Sequence, residues 1–111
     1  MTRVDLIKGV KAKYSDISSM SYRKRFDLKD LSYKISCLID YLKEYEDNDF
    51  NNDENELAHI HTASVKLKSD MNTLKNESQL KNNEQCKELF NNVKNSSTVY
   101  IEKLLKTILP F

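Results

Sequence analysis

The chain has almost no glycine or proline, since Gly9 and Pro110 are the only such residues among 111. Folds rich in β-structure need tight turns, which draw on glycine for positive φ and on proline for fixed φ. Residues 10–109 contain neither type. Helices tolerate this, because Asn, Asp and Ser can form their connections. We therefore predict a single all-α domain, an antiparallel helical bundle or helical hairpin of three to four helices with coiled-coil-like seams.

Other absences restrict the class of protein. No stretch approaches the roughly 18 apolar residues of a transmembrane helix. The N-terminal sequence MTRVDLIKGVK mixes acids and bases, unlike the apolar run of a signal peptide. A chain whose only glycine is Gly9 cannot form a glycine-rich phosphate loop. We expect no membrane span, no small-molecule substrate, and an intracellular, cytoplasmic location.

The residues that most often carry catalysis or metal binding are few. Cys37 and Cys86 match no metal or disulfide framework, and neither has a histidine or other base nearby in sequence. We interpret them as small core residues and leave any redox role open. His59 and His61 point about 200° apart on a helix, so they cannot share a metal ion. We predict no cofactor, no metal and no enzymatic activity.

Charge is unevenly distributed along a chain whose net charge is only +1. Residues 1–26 contain seven Lys and Arg against two acids, and residues 27–56 contain three Lys against ten acids. The remaining segment, 57–111, contains eight Lys against five acids. Such alternation indicates segments that fold against one another. A basic N-terminal segment that binds nucleic acid is the alternative.

Apolar residues recur at alternating spacings of three and four, which is the period of a helix seam. Thr2 is a good N-cap for the first helix, with Asp5 three residues later. The pattern predicts helices at about 3–14, 28–46, 54–78 and 84–109, with an acidic linker at 46–56 and a weakened turn at about 15–26. Because no breaker separates the last two helices, residues 54–109 could equally form one long helix.

Two seams are the predicted partner-binding residues, because apolar content of 39% makes a lean core. They comprise Leu28, Leu31, Ile35, Leu38, Leu42, Tyr45, Leu57, Ile60, Leu67, Met71 and Leu74. We predict a protein–protein interaction module, an adaptor or subunit of a complex or homo-oligomer. The alternative is a self-contained bundle that binds one protein, as an immunity protein, inhibitor or secretion chaperone does. A further alternative is weak nucleic-acid binding through the basic patch of Arg23, Lys24 and Arg25.

Overall fold

The computed structural model describes residues 2–48 and 54–108, and within these ranges it contains four α-helices and no strand. The helices are α1 (Arg3–Ser18), α2 (Phe26–Asp47), α3 (Glu54–Leu74) and α4 (Asn83–Ile108), with a 3₁₀ helix at Lys75–Gln79 between the last two. The four helices pack against each other, which confirms the predicted all-α bundle.

Neighbouring helices in the bundle run antiparallel. Tyr45, late in α2, binds both Arg3 at the start of α1 and Glu56 at the start of α3. Contacts along α3 and α4 run in opposite directions, in the pairs Lys66–Tyr100 and Asp70–Ser96. Each consecutive pair of helices packs closely, and α1 also packs against α4. The molecule measures 47 Å along its long axis and about half of that across.

The core of the bundle forms from one apolar stripe of each helix. α2 contributes the longest stripe, and it packs against all three other helices. The fully buried side chains include Leu6 and Ile17 from α1, Leu28, Leu31, Ile35, Leu38 and Leu42 from α2, Ile60 and Leu67 from α3, and Cys86, Phe90 and Ile101 from α4. Antiparallel helices with narrow stripes can close such a core within one chain.

The capping box predicted for the first helix is present, but the helix does not end where the sequence indicated. The Thr2 hydroxyl accepts from the Asp5 backbone N–H at 3.2 Å, and the Asp5 carboxylate accepts from the Thr2 backbone N–H. The helix runs past residue 14 to Ser18, because the Ser18 and Ser19 hydroxyls donate to backbone carbonyls one turn earlier. These serines complete the helix end where we expected them to weaken it.

Two further boundaries differ from the prediction. α2 begins at Phe26 and not at residue 28. Asp27 accepts from the backbone N–H groups of Arg23 and Lys24 at 2.7 and 2.9 Å, so its side chain stabilises the turn that precedes the helix. The predicted acidic linker is shorter than 46–56, since its two ends belong to α2 and α3 and residues 49–53 lie outside the described residues.

The last two predicted helices are separate. α3 ends at Leu74, the 3₁₀ helix ends at Gln79, and α4 begins at Asn83. A continuous helix over 54–109 is therefore excluded. Residue 109, where the last helix was predicted to end, and Pro110 lie outside the described residues.

Gly9 of α1 lies against the Tyr41 ring of α2. A Cβ atom built on Gly9 would lie 2.7 Å from two carbons of the Tyr41 ring, which is closer than van der Waals contact allows. Gly9 costs the helix some stability relative to alanine. The close approach of Tyr41 explains why a glycine fits at this position.

We expect Gly9→Ala to destabilise the protein by about 1 kcal/mol, because the added methyl group must displace the Tyr41 ring. In a Tyr41→Ala background the same substitution should stabilise by about 0.5–1 kcal/mol, since alanine loses less backbone entropy in a helix. Urea unfolding of the four proteins measures both effects. The same effect of Gly9→Ala in both backgrounds would contradict the assignment.

Candidate functional site

The predicted partner-binding seams lie inside this chain's own core. Nine of the eleven side chains are buried, and Leu57 and Met71 are half-buried against the same core. Met71 and Leu74 also line a groove of about 320 Å³ between α2 and α3. The structure thus brings the two seams together against each other. In this fold they are not surfaces on which a partner can dock.

The predicted basic patch is divided by the fold. Arg25 donates to the backbone carbonyls of Glu77 at 2.5 Å and of Leu80 at 3.2 Å, which ties the α1–α2 connection to the α3–α4 connection. Arg23 and Lys24 remain exposed, and the Lys24 ammonium lies 5.7 Å from the centre of the Phe26 ring. All three residues are exposed, but Arg25 alone is held by these two carbonyls.

A buried polar cluster joins three helices at the opposite end of the bundle. Arg3 donates to the Tyr45 hydroxyl at 2.7 Å and to a Glu56 carboxylate oxygen at 2.9 Å, and the Tyr45 hydroxyl donates to that same oxygen. Glu56 is only 6% exposed and Tyr45 only 3%. Since the three groups satisfy one another, we interpret this cluster as structural.

Burial, followed by the hydrogen bond to Glu56, raises the pKa of Tyr45 from 10.0 to about 12. The unfolded chain ionises this phenol at lower pH than the folded chain does. The stability that the neutral phenol contributes is therefore complete below about pH 10 and is lost as the pH rises towards 12.

We expect Tyr45→Phe to lower the free energy of unfolding by about 1–2 kcal/mol, because the buried Glu56 carboxylate loses a donor. Tyr33→Phe is the matched control, since Tyr33 lies on the same helix and is 65% exposed. Equilibrium denaturation near neutral pH compares the two. Equal, negligible losses in both variants would show that the cluster does not hold the three helices together.

An open notch lies between α3 and α4. It encloses about 360 Å³. Its lining residues are Lys66, Ser69, Asp70, Ser96, Val99 and Tyr100. Val99 is 66% exposed, so the notch has an apolar rim. Val65, which is 51% exposed, lies one helical turn before Ser69 on α3.

Asp70 is the chemically distinctive residue of the notch. One carboxylate oxygen accepts from the Ser96 hydroxyl at 3.2 Å, and the other, Oδ2, is buried with no donor among the described residues. Burial raises the pKa of Asp70 from 3.8 to about 6, and the Ser96 hydrogen bond opposes that rise. At neutral pH the carboxylate is therefore largely ionised, although its unpartnered oxygen is covered by surrounding atoms.

Lys66 of α3 and Tyr100 of α4 join the two helices beside Asp70. The Tyr100 hydroxyl donates to the Lys66 backbone carbonyl at 3.1 Å, and the Lys66 ammonium lies 5.6 Å from the centre of the Tyr100 ring. Lys66 is one helical turn before Asp70, yet it forms no ion pair with that carboxylate in the described structure. The charge of the carboxylate is therefore not compensated by Lys66.

The notch has no arrangement typical of catalysis. It contains no histidine or cysteine that could act as base or nucleophile beside Asp70. Within residues 2–48 and 54–108, no three His, Cys, Asp or Glu residues converge to hold a metal ion. What this arrangement offers is a negative charge in the notch beside an exposed apolar contact at Val99. The sequence did not predict it, because Ser96 and Asp70 lie 26 residues apart.

We expect Asp70→Asn to stabilise the protein by about 1 kcal/mol at about pH 7.5, after allowance for solvent screening. Burial of the ionised carboxylate lowers the free energy of unfolding. This loss is absent below about pH 4 and grows as the pH rises through 6. Urea unfolding at several pH values measures the difference between variant and wild type. Glu88→Gln, at an exposed carboxylate on α4, is the control. A difference independent of pH would contradict the assignment to Asp70.

The two cysteines and the two histidines are the other residues that the sequence analysis considered for function. Cys37 is half-buried and Cys86 is buried, and both are free thiols. His59 and His61 are both exposed on α3. No helix in the described ranges is both long enough and apolar enough to cross a membrane.

Comparison of the chain with protein-family models, with curated proteins and with solved structures gives no match in any of the three.

Proposed function

We propose that this chain is a non-enzymatic protein-binding module, a self-contained four-helix bundle that binds one protein partner over the α3–α4 notch. The observation that carries the proposal is the position of the seams. Because they close on each other, the apolar side chains left for a partner are exposed ones such as Val65 and Val99. Exposed apolar side chains beside a polar cavity are typical of a binding surface.

The chemistry of the notch indicates which side chain the partner supplies. Asp70 places a negative charge in the notch at neutral pH, which favours a cationic group on the partner. An arginine or lysine of the partner could place its charged head in the notch near Asp70 and its alkyl stem on Val99. We therefore propose a partner that presents a basic side chain within an apolar surface.

The other functions predicted from the sequence have less support. An adaptor or homo-oligomer that pairs through the seams would have to open the bundle and expose side chains such as Leu31 and Ile35, which are fully buried. Nucleic-acid binding through the basic patch would rely on Arg23 and Lys24, since Arg25 is held by two backbone carbonyls. Free thiols at Cys37 and Cys86 support a reducing, intracellular compartment as part of this proposal.

The partner-binding test compares three tagged chains in an extract of the source cells: wild type, Val99→Ser and Val4→Ser. Val4 is the control, because it is an exposed valine on α1, away from the notch. We expect one protein to be retained by the wild type and by Val4→Ser. Val99→Ser should weaken the purified complex about tenfold, because the apolar contact is lost.

Circular dichroism of each variant shows whether the bundle is intact. Asp70→Asn provides a second measurement on the purified complex, where loss of the charged acceptor should also weaken binding. A partner that binds all four chains equally would contradict the notch as its site. A wild-type chain that retains no protein would contradict the function itself.

A further inference from the structure

The outer face of α2 carries two large exposed aromatic residues. Phe26 is 62% exposed and Tyr33 is 65% exposed. They are seven residues apart, so they lie about 10 Å apart along the helix and on nearly the same side of it. Lys29 and Asp40 are exposed on that side as well. This face is opposite the buried stripe of α2, and no other helix in the described part of the chain covers it.

The charge on this face changes sign from one end to the other. Arg23, Lys24 and Lys29 are exposed at its beginning. The acids nearby are already engaged: Asp27 accepts from two backbone N–H groups, and Asp30 lies 3.4 Å from Lys34.

The last third of α2 has the opposite charge. Asp40 and Asp47 are exposed and Glu44 is half-buried, and they are opposed on that side by Lys43 alone. The helix dipole reinforces this polarity, since its positive end coincides with the basic residues and its negative end with the acidic ones.

We propose that the outer face of α2 binds a second copy of this chain, with the two α2 helices antiparallel. A two-fold axis beside Tyr33 would place Lys29 of each copy opposite Asp40 of the other. Lys29 and Asp40 lie on the same flank of the helix, at about 60° and 40° from the line through Phe26. In an antiparallel helix pair, residues on the same flank meet across the interface.

Self-complementarity favours this occupant over an unrelated protein. An antiparallel copy matches the basic beginning of α2 with the acidic end of its partner twice, and it also aligns the two helix dipoles favourably. It covers Phe26 and Tyr33 of both copies. A parallel pairing would instead place like charges together, which costs several kcal/mol in interfaces.

The contact is small, so the association is expected to be weak. One helix face per copy gives an interface near or below the lower end of the roughly 1,200–2,000 Å² range of stable complexes. We therefore expect dissociation in the micromolar range and a dimer that weakens as salt is raised, because exposed charges are screened. The notch lies on α3 and α4, so this inference does not depend on the proposed function.

The test uses charge reversal at the two paired positions, with Lys29→Glu and Asp40→Lys made separately in the full chain. Each variant alone would place like charges opposite each other twice, and we expect each to be monomeric where the wild type dimerises. A heterodimer of the two variants would instead contain two attractive contacts, one between the introduced Glu and the introduced Lys and one between the native Lys29 and Asp40. The mixture should therefore form a heterodimer. Sedimentation velocity at low salt measures all four samples.

Lys87→Glu, a charge reversal at an exposed position on α4, should leave the dimer intact. Circular dichroism confirms that each variant retains its helices. A wild type that stays monomeric at the highest soluble concentration would overturn the proposal. So would a dimer that survives both single reversals, or a mixture of the two variants that remains monomeric.

Discussion

The structure depends above all on burial of the apolar stripe of α2. This helix packs against all three others, and five of its leucine and isoleucine side chains are at most 1% exposed. Complete burial of one such side chain contributes about 1.5–3 kcal/mol, so this stripe alone outweighs the capping and ion-pair contributions at the surface. Every other helix takes its position from its contact with α2 or from closing the core around it.

With the apolar seams buried, two sets of polar side chains have different roles. At one end, Arg3, Tyr45 and Glu56 satisfy one another and join three helices. In the α3–α4 notch, the Asp70 carboxylate keeps one oxygen without a donor among the described residues. The first arrangement stabilises the fold, whereas the second is suited to recognition. The function proposed for this protein rests on that difference.

Local sequence signals predicted the four helices well, but the residues at which the helices begin and end less well. The Thr2–Asp5 capping box and the seam of α2 depend on residues within one or two turns of each other. The predicted end of α1 was wrong, because serine hydroxyls can either compete with helical hydrogen bonds or complete a helix end, as Ser18 does here. From the sequence, Arg25 was assigned to a basic patch with its two neighbours. The carbonyls that it binds lie more than fifty residues away, so no local signal indicated them.

The amino-acid sequence by itself determined that the protein is helical, because it lacks glycine and proline over residues 10–109 and repeats apolar residues at helical spacing. Only the tertiary structure decided what the seams contact. A stripe of leucines has the same pattern whether it packs within one chain or against another, since hydrophobic burial is not directional. Likewise, Asp70 became distinctive only when Ser96 and Val99 of α4 were brought beside it.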